Sequence, residues 1–377
     1  MPNPKKKVPI QTAAELLEKY AAGERDFEAA NLWQADLKAA QLAGINLNQA
    51  VLFRAILNGA VLAIANLSAA DLVRADLSAA RLDRSNLSRA NLYEATLTGA
   101  SLVITNLSQA SLEKANLSQC DLSQANLNQA NLSAANLSQA DLSQATLIRA
   151  VLTGARLFKA TLRSATLIEA DLSQADLREA FLSTALLGRA KLLSANLAEA
   201  NLSHADFLEA HLEDAILTLA NLEGANLSQA KLLRANLSEA NLLKANLSQA
   251  NLSASSLHQA NLLGANLLEA NLEGANLTGA DLFGANLQDV NLSRANLESV
   301  DLREAEMVRA NLSAARLVNA NLFGAELKGA NLTGTDLCGA NLYRAKLSGA
   351  NLQAALFDDK TEFSPKFDPL QRGMRRH

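Results

Sequence analysis

The feature that most constrains this chain is a period of five residues. From Phe27 to Phe357 every fifth residue is leucine, except at Phe27, Phe207, Met307 and Phe357 themselves. Counting these central residues in steps of five gives 67 repeat units without an insertion. The residue two places before the centre is nearly always alanine, as in ANLSQ at 135–139. A strict repeat of this kind decides the fold before ordinary secondary-structure propensities are considered.

A period of five fits neither an α-helix, which repeats every 3.6 residues, nor a β-strand, which repeats every two. The chain must therefore turn about once in each unit. If the central leucine and the alanine before it point inward, four units close one coil of about 20 residues, and coils stack at roughly 4.8 Å with paired backbone groups. The sequence thus predicts a solenoid of about 17 coils.

The A(D/N)LXX pattern over residues 27–357 resembles the pentapeptide-repeat family. The resemblance implies an all-β fold, a right-handed quadrilateral β-helix, and its handedness comes from the family and not from the spacing. The lead-in at 15–27 and the ending at 358–377 are similar to those of cyanobacterial members. We therefore expect a repeat solenoid at 25–357, flanked by short terminal segments.

Residues 1–24 are predicted to form a basic leader and a short capping helix that covers the first coil. Thr12 and Glu15 have the spacing of a capping box, and Gly23 follows as a stop signal. The apolar stripe of this helix is formed by Leu16, Leu17 and Tyr20. Such a lid would shield the unpaired backbone edge of the first coil and prevent end-to-end association.

Residues 358–377 are predicted to form a C-terminal cap and a basic tail. Phe363 and Phe367 are expected to fold over the last coil, and Pro365 and Pro369 to block further strand pairing. The final basic residues are expected to form a frayed tail: Arg372, Arg375, Arg376 and His377.

Outward residues that are 20 positions apart should lie above one another, so the sequence can be sorted into columns. The first aromatic column consists of Trp33, Phe53, Val73 and Tyr93. The second aromatic column consists of Leu243, Leu263, Phe283, Phe323 and Tyr343, interrupted by Arg303. A third apolar column consists of Ile148, Ile168 and Leu208, with Gly188 between them.

An exposed apolar stripe is a candidate surface for a protein partner. Ladders that only stack on themselves and stabilise the solenoid are the simpler alternative. The first aromatic column contains the one tryptophan of the chain and is the better candidate for a partner. A column of asparagines is expected to bond from coil to coil through its amides: Asn251, Asn271, Asn291, Asn311, Asn331 and Asn351.

Charge columns bear on one function that the resemblance implies. Some pentapeptide-repeat proteins resemble duplex DNA in shape and charge and bind DNA gyrase, which requires acidic stripes. Here signs alternate or mix along two columns, which are Arg149, Glu169, Arg189 and Glu209, and then Arg54, Arg74, Glu94 and Lys114. Opposite charges at coil spacing attract, so the field largely cancels at a distance. The exception is a local acidic cluster: Asp171, Asp176, Glu179, Glu199, Glu209 and Asp214.

No catalytic, cofactor or metal site is predicted. His204 and His211 lie near Asp206 and Asp214 in the sequence, but they belong to adjacent faces that point apart, which disfavours a metal site. No phosphate-binding glycine loop or nucleophile motif is present, and the glycines mostly occupy the expected corner turns.

The remaining features concern compartment and partners. Cys120 is predicted to face inward and Cys338 outward, too far apart for a disulfide. The net charge of −4 does not suggest a basic nucleic-acid binder, and no apolar run suits a signal peptide or a membrane span. A cytoplasmic location is expected.

These observations predict a non-enzymatic, rigid scaffold for protein–protein interaction, and the resemblance implies a regulatory role in a cyanobacterium. The partner is expected to be a protein of unidentified kind, without direct nucleic-acid binding and without a membrane. The alternative is a DNA mimic that binds DNA gyrase or another topoisomerase. The sequence leaves the oligomeric state open.

Overall fold

The computed structural model describes residues 10–377, which fall into two compact units. The first unit reaches to Phe181 and the second spans Leu182–His377. The five-residue period runs through this boundary unchanged, so the sequence pattern does not predict it. The basic leader around residues 5–7 lies outside the described residues.

Within each unit, the chain pairs with itself through parallel β-bridges between residues 20 positions apart. The series begins with Asp26 and Asn46 in the first unit and with Leu186 and Asp206 in the second. The bridging residue is the one before each central residue, and its neighbours complete the ladder with backbone hydrogen bonds of about 2.6 to 3.1 Å. Four repeat units therefore make one turn of the coil. This confirms a β-solenoid in which five-residue units replace ordinary strands.

The interior of each coil is formed by the central residues and the alanines, as predicted. Leu137 and Ala140, for example, are 0% and 1% exposed. The larger centres Phe207 and Met307 are also fully buried. The five-residue period therefore assigned the inward positions correctly.

A few polar residues take the place of the inward alanine, and each donates a hydrogen bond to a main-chain carbonyl. These are Ser85, Thr105, Ser255 and Thr335. Ser85 Oγ and Thr105 Oγ1 both donate to the carbonyl oxygen of Leu82, at 2.6 and 2.8 Å. Since a buried hydroxyl is tolerated only when it is hydrogen-bonded, these carbonyls explain how the interior accepts serine and threonine.

Both cysteines are free thiols. Cys120 takes an inward position, and its Sγ lies 2.8 Å from the carbonyl oxygen of Leu97. Burial raises the pKa of the Cys120 thiol to about 12. Partial burial, followed by the hydrogen bond to Asp336, raises the pKa of the Cys338 thiol to about 11.

The turn within each unit is made at the second residue after the centre. Every such residue from Ala29 to Ala354 has a φ between 53° and 71°. The glycines that the sequence assigned to corner turns follow this rule: Gly264, Gly274, Gly284 and Gly324. Most of the other residues at this position are not glycine, so the stacked backbone itself imposes a left-handed conformation that L-residues normally avoid.

Among residues 10–377 the one α-helix, α1, spans Ala13–Ala21. Thr12 is its N-cap, and Thr12 Oγ1 accepts a hydrogen bond from the Glu15 amide at 3.2 Å. The Glu15 carboxylate accepts from the amide of Gln11 at 3.4 Å. The capping box is therefore present, with its second bond shifted one residue upstream of the N-cap.

The predicted apolar stripe of α1 is only partly correct. Leu16 is fully buried, but Leu17 is 38% exposed and does not belong to the packed face. Tyr20 packs through its polar end, because its hydroxyl donates to the carbonyl of Ala43 at 2.8 Å. The guanidinium of Arg25 lies 3.8 Å from the centre of the Tyr20 ring.

Within the described part of the chain, four short strands lie at the C-terminal end of the second unit. Strand β1 (Asn341–Leu342) pairs in parallel with β3 (Glu362–Phe363), and β2 (Leu356–Phe357) pairs in parallel with β4 (Arg375–Arg376). The rings of Phe363 and Phe367 stack with their centres 4.8 Å apart. Phe363 also meets the ring of Phe357 edge-on at 6.0 Å.

The prediction of a frayed tail is wrong. The amide of Arg375 donates to the carbonyl of Ala355 at 2.8 Å, and Met374 is buried. Pro365 and Pro369 do not block further pairing, because they lie in the turns between β3 and β4 and need no ladder hydrogen bond there. Within residues 10–377, no helix is long and apolar enough to cross a membrane.

Candidate interaction surfaces

The first aromatic column lies in the first unit and is stacked by the backbone ladder. The amides of Gln34, Arg54 and Arg74 each donate to the carbonyl of the column residue one coil further on, at 2.9 Å. Trp33, Phe53, Val73 and Tyr93 thus follow one another at the coil spacing, as the sequence predicted.

Cations cover two of the rings in this column. The Arg54 guanidinium lies 5.3 Å from the centre of the Phe53 ring. Lys114 Nζ lies 5.3 Å from the centre of the Tyr93 ring and donates to the Tyr93 hydroxyl at 3.1 Å. This hydrogen bond, more than the neighbouring carboxylates, raises the pKa of Lys114. Phe53 and Tyr93 are only half-buried, but part of each ring is already in contact with its own chain.

Trp33 differs from the other members of the column. Its side chain is 57% exposed, and it makes no ring or cation contact among residues 10–377. On the next coil, Val51 bridges to Asn31 and Ile56 to Asp36, and their side chains are 37% and 41% exposed. The open end of the first aromatic column therefore presents one largely exposed indole.

The second aromatic column, in the second unit, stacks on itself. The Phe323 and Tyr343 rings are 6.0 Å apart and 24° from parallel, and Arg344 lies over both. Arg303 covers Phe283 at 5.3 Å. The guanidinium of Arg303 also binds the carboxylate of its neighbour Asp301, at 2.6 to 2.9 Å.

The remaining apolar residues of the second and third columns are less exposed. Leu243 is half-buried, and Leu263 is just on the exposed side. In the third column, Ile148 and Ile168 in the first unit are half-buried, whereas Leu208 in the second unit is exposed. None of these side chains matches Trp33 in exposure.

Asparagine amides form the ladder that the sequence predicted in the second unit. From Asn271 to Asn331, each Nδ2 donates to the Oδ1 of the residue 20 positions earlier, at 2.9 to 3.4 Å. A second ladder in the first unit begins with Asn46 Nδ2 donating to Asp26 Oδ1 at 2.8 Å and continues to Asn126. Sequence reasoning missed this ladder, although the same coil spacing reveals it.

Opposite charges pair between coils, as the alternation along the columns predicted. Arg149 Nε lies 2.6 Å from the Glu169 carboxylate, and Arg74 Nε lies 2.6 Å from the Glu94 carboxylate. The hydrogen bond from Arg74 is the main cause that lowers the pKa of Glu94. In the acidic cluster, four of the six carboxylates have a cation of their own, and the pairs are Asp176 with Arg178, Glu179 with Lys159, Glu209 with Arg189, and Asp214 with Arg234.

Among the described residues, no group of three or more histidine, cysteine, aspartate or glutamate side chains is placed to hold a metal ion. The Asp214 carboxylate is bound to Arg234 at 2.6 Å, and Asp206 Oδ1 accepts from Asn226 at 2.8 Å. The nearest carboxylate to His211 is that of Glu213, 3.6 Å from Nδ1.

Sequence reasoning missed two prominent apolar side chains in the first unit. Ile64 and Ile104 are 67% and 45% exposed, and both occupy the left-handed turn position. They lie in one column with Arg84 between them. This spacing of two coils was visible in the sequence, but only the structure reveals that their backbone is strained.

Comparisons with known proteins give one family and several structures. The family described as pentapeptide repeats matches overlapping segments that run from residue 30 to residue 359. HetL from the cyanobacterium Nostoc sp. strain PCC 7120, a pentapeptide repeat protein involved in heterocyst differentiation regulation, is 26% identical, with 92% of this chain and 97% of HetL covered and a TM-score of 0.28.

Two further structures are similar to parts of the chain. Alr5209, a pentapeptide repeat protein from Nostoc PCC 7120, is 38% identical over 27% of this chain and 84% of its own, with a TM-score of 0.27. QnrB1, a plasmid-mediated fluoroquinolone resistance protein, is 20% identical over 48% of this chain and 87% of its own, with a TM-score of 0.28. No curated protein sequence matches this chain.

Proposed function

The chain belongs to the pentapeptide repeat family, and on this premise we propose that it is a non-enzymatic scaffold that binds a protein partner through the first aromatic column. The observation that carries the proposal is Trp33, whose indole is 57% exposed without a ring or cation partner among residues 10–377. Tryptophan is among the residue types most enriched in binding hot spots, and a large exposed ring gains most from a partner that covers it.

The surroundings of Trp33 suit such a contact. Val51 and Ile56 add exposed apolar side chains on the next coil, and Arg54 adds a cation that has no carboxylate within 4 Å among the described residues. An apolar centre with a polar rim is the usual anatomy of a protein interface. The second aromatic column is a weaker candidate, because the rings of Phe323 and Tyr343 already stack on each other.

The charge arrangement argues against a DNA mimic that binds DNA gyrase or another topoisomerase. Such a surface needs a continuous acidic stripe, whereas carboxylates such as Glu94 and Glu169 here lie against arginines one coil away. The regulatory role named for HetL belongs to HetL, and a regulatory role for this scaffold is an expectation from the family pattern alone. We place it in the cytoplasm, where free thiols such as Cys120 stay reduced.

The finer form of the solenoid is part of the same proposal. We take the coils of each unit to be right-handed and four-sided, as in the family, with about 17 coils over the repeat region. We take α1 and residues 10–12 before it to cover the first coil. Leu16 is fully buried, and the carbonyl of Ile10 accepts from the amide of Asn31 at 2.8 Å, so this segment occupies a backbone edge that would otherwise be open.

The test uses the full chain as bait in a lysate of the native cell, followed by titration of each purified candidate. Trp33 is the only tryptophan of the chain, so its fluorescence reports directly on this surface. A partner that covers the indole should shift its emission to the blue. Trp33→Ser should weaken the partner by about 1 to 2 kcal/mol, which is roughly a factor of 5 to 30 in Kd.

Tyr343→Ser is the matched control, since it removes an exposed ring from the second aromatic column. It should leave the affinity unchanged and lower the melting temperature, because it breaks a stacked pair. A partner whose affinity responds to Tyr343→Ser and not to Trp33→Ser would move the interface to the second column. If no protein from the lysate binds in a way that depends on Trp33, the proposal is refuted.

A further inference from the structure

The column formed by Ile64, Arg84 and Ile104 in the first unit, here named the isoleucine column, contains side chains that the fold itself does not favour. Ile64 and Ile104 have φ angles of 60° and 58°. A β-branched residue in the left-handed region is a true outlier, because its side chain crowds the backbone. Among the described turn residues, only Thr184 is also β-branched.

Exposure makes the choice of isoleucine more unusual. Ile64 is 67% exposed and Ile104 is 45% exposed, so neither side chain gains much from burial within its own unit. Backbone strain at a solvent-exposed apolar residue points to a role outside the fold. Ala63 and Val103, each one residue earlier, are half-buried and widen the apolar area.

Arg84 gives this surface its charge. It is exposed and has no ion pair, ring contact or side-chain hydrogen bond among residues 10–377. Arg74 and Arg149, at the same turn position in other columns, both bind a carboxylate one coil away. The adjacent Asp83 is engaged elsewhere, because its Oδ1 accepts from Ser101 Oγ and from the Val103 amide. The column therefore presents a free cation between two apolar side chains.

The backbone of this surface is already paired. The amide of Ile64 donates to Asp83 O at 2.9 Å, and the amide of Arg84 donates to Val103 O at 2.9 Å. An added β-strand would find no free ladder groups here, so a partner must be held by side chains alone.

The distance between Ile64 and Ile104 favours a helical partner over an extended one. Two coil steps separate Ile64 from Ile104, which is about 9.6 Å along the coil axis. Seven residues of an α-helix advance about 10.5 Å, whereas the same face of a strand recurs every two residues, at about 6.6 Å and then about 13 Å. A helix lying along the column thus places one turn on each coil. Gly44, the preceding member of the column, leaves open space into which the helix can continue.

We propose that the isoleucine column binds an amphipathic helix of a partner protein, with apolar side chains at i and i+7 and a carboxylate at i+3 or i+4 that binds Arg84. This surface shares no residue with the first aromatic column, so it is a second docking site and not an extension of the first. It goes beyond the proposed function because it specifies both the shape and the charge of what is bound.

The probe is a synthetic, fluorescein-labelled, alanine-rich peptide with leucine at i and i+7 and glutamate at i+3 and i+4. A length of about 18 residues lets such a peptide form a helix in isolation. Its binding to the full chain is followed by fluorescence anisotropy. We expect saturable binding that weakens at least tenfold when the two glutamates are replaced by lysine. A peptide of the same composition with strand-like alternation should bind at least tenfold more weakly than the helical one.

Protein variants then locate the contact. Arg84→Glu should reverse the preference, so that the lysine peptide binds better than the glutamate peptide, and Arg84→Gln should remove the preference. Ile64→Asn and Ile104→Asn should each weaken binding at least fivefold. Arg89→Glu is the matched control, because Arg89 is an exposed turn-position cation in a different column, and it should have little effect. Circular dichroism of every variant checks that the fold is kept.

Four results would overturn the proposal. The first is no saturable binding of the glutamate peptide, and the second is binding that Arg84→Glu leaves unchanged. The third is a strand-like peptide that binds as well as the helical one. Since Trp33→Ser should not affect this peptide, a loss of binding in that variant would instead assign the contact to the first aromatic column, and would equally overturn a separate site.

Discussion

Replacing one central leucine tests how strongly the stacked coils depend on their interior. Leu137 is 0% exposed, and its amide donates to the carbonyl of Arg156 at 2.7 Å. The amide of Leu117, the central residue of the coil before, donates to the carbonyl of Asn136 at the same distance. These bonds fix the spacing of the coils, so a cavity left by Leu137→Ala cannot easily collapse.

The expected cost follows from that rigidity. Leu→Ala substitutions in cores cost about 2 to 5 kcal/mol, with the larger values at sites that cannot relax. We expect about 3 to 5 kcal/mol for Leu137→Ala. With a urea m-value of about 3 kcal/mol/M, the midpoint of unfolding of the first unit should fall by more than about 1 M. Circular dichroism during urea titration measures this.

Two control variants isolate the cavity. Leu137→Met conserves volume and should cost less than about 1.5 kcal/mol. Gln139→Ala removes an exposed side chain from the same repeat unit and should change stability by no more than about 0.5 kcal/mol. Hydrogen exchange at the Leu137 amide should be faster in Leu137→Ala, because neighbouring coils are coupled by this contact. If Leu137→Ala costs no more than Gln139→Ala, the coils adapt to the cavity and the argument from fixed spacing is wrong.

Three further predictions concern strain, thiol reactivity and the N-terminal cap. Ile64→Asn should stabilise the first unit by about 1 kcal/mol, because asparagine tolerates positive φ better than isoleucine, and a lower melting temperature would contradict this. Cys120 should resist alkylation at pH 8 until the chain is unfolded, since a pKa of about 12 keeps the thiol protonated, and equal labelling in folded and denatured protein would be the opposite result. Deleting residues 1–24 should cause end-to-end association, which light scattering at rising concentration detects, whereas a truncated chain that stays monomeric would show that α1 is no lid.

Much of the fold is predictable because one periodicity fixes which side chains face inward. A five-residue unit leaves only one way to bury Leu137 and Ala140 together, and that choice places residues 20 apart above one another. The asparagine ladder from Asn271 to Asn331 follows from this rule, since amides at coil spacing can bond in series. No tertiary information was needed for these elements.

The C-terminal end could not be predicted in the same way, because the register changes there. Asn341 pairs with Glu362, one position beyond the coil offset of the repeats, and Leu356 pairs with Arg375, one position short of it. Once the period is lost, the columns no longer identify partners. Prolines that would interrupt a strand are tolerated at Pro365, because the chain turns there.

The candidate surfaces were only partly predictable, because column membership does not determine how a side chain is covered. Phe53 and Trp33 belong to the same column, yet a neighbouring arginine covers Phe53 while Trp33 has no such contact among the described residues. This difference depends on the direction of long, flexible side chains. Sequence spacing predicted the column, and the structure shows which residue in it is most exposed.

The turn position offers a way to separate residues selected for the fold from residues selected for contact. The stacked backbone requires positive φ there, so glycine, asparagine or an unbranched side chain causes the least backbone strain. Ile64 departs from that choice, and it is exposed as well. If it serves binding, Ile64→Asn should raise the melting temperature and weaken the helical peptide in the same protein sample. A variant that melts lower and binds equally well would instead identify Ile64 as a packing residue.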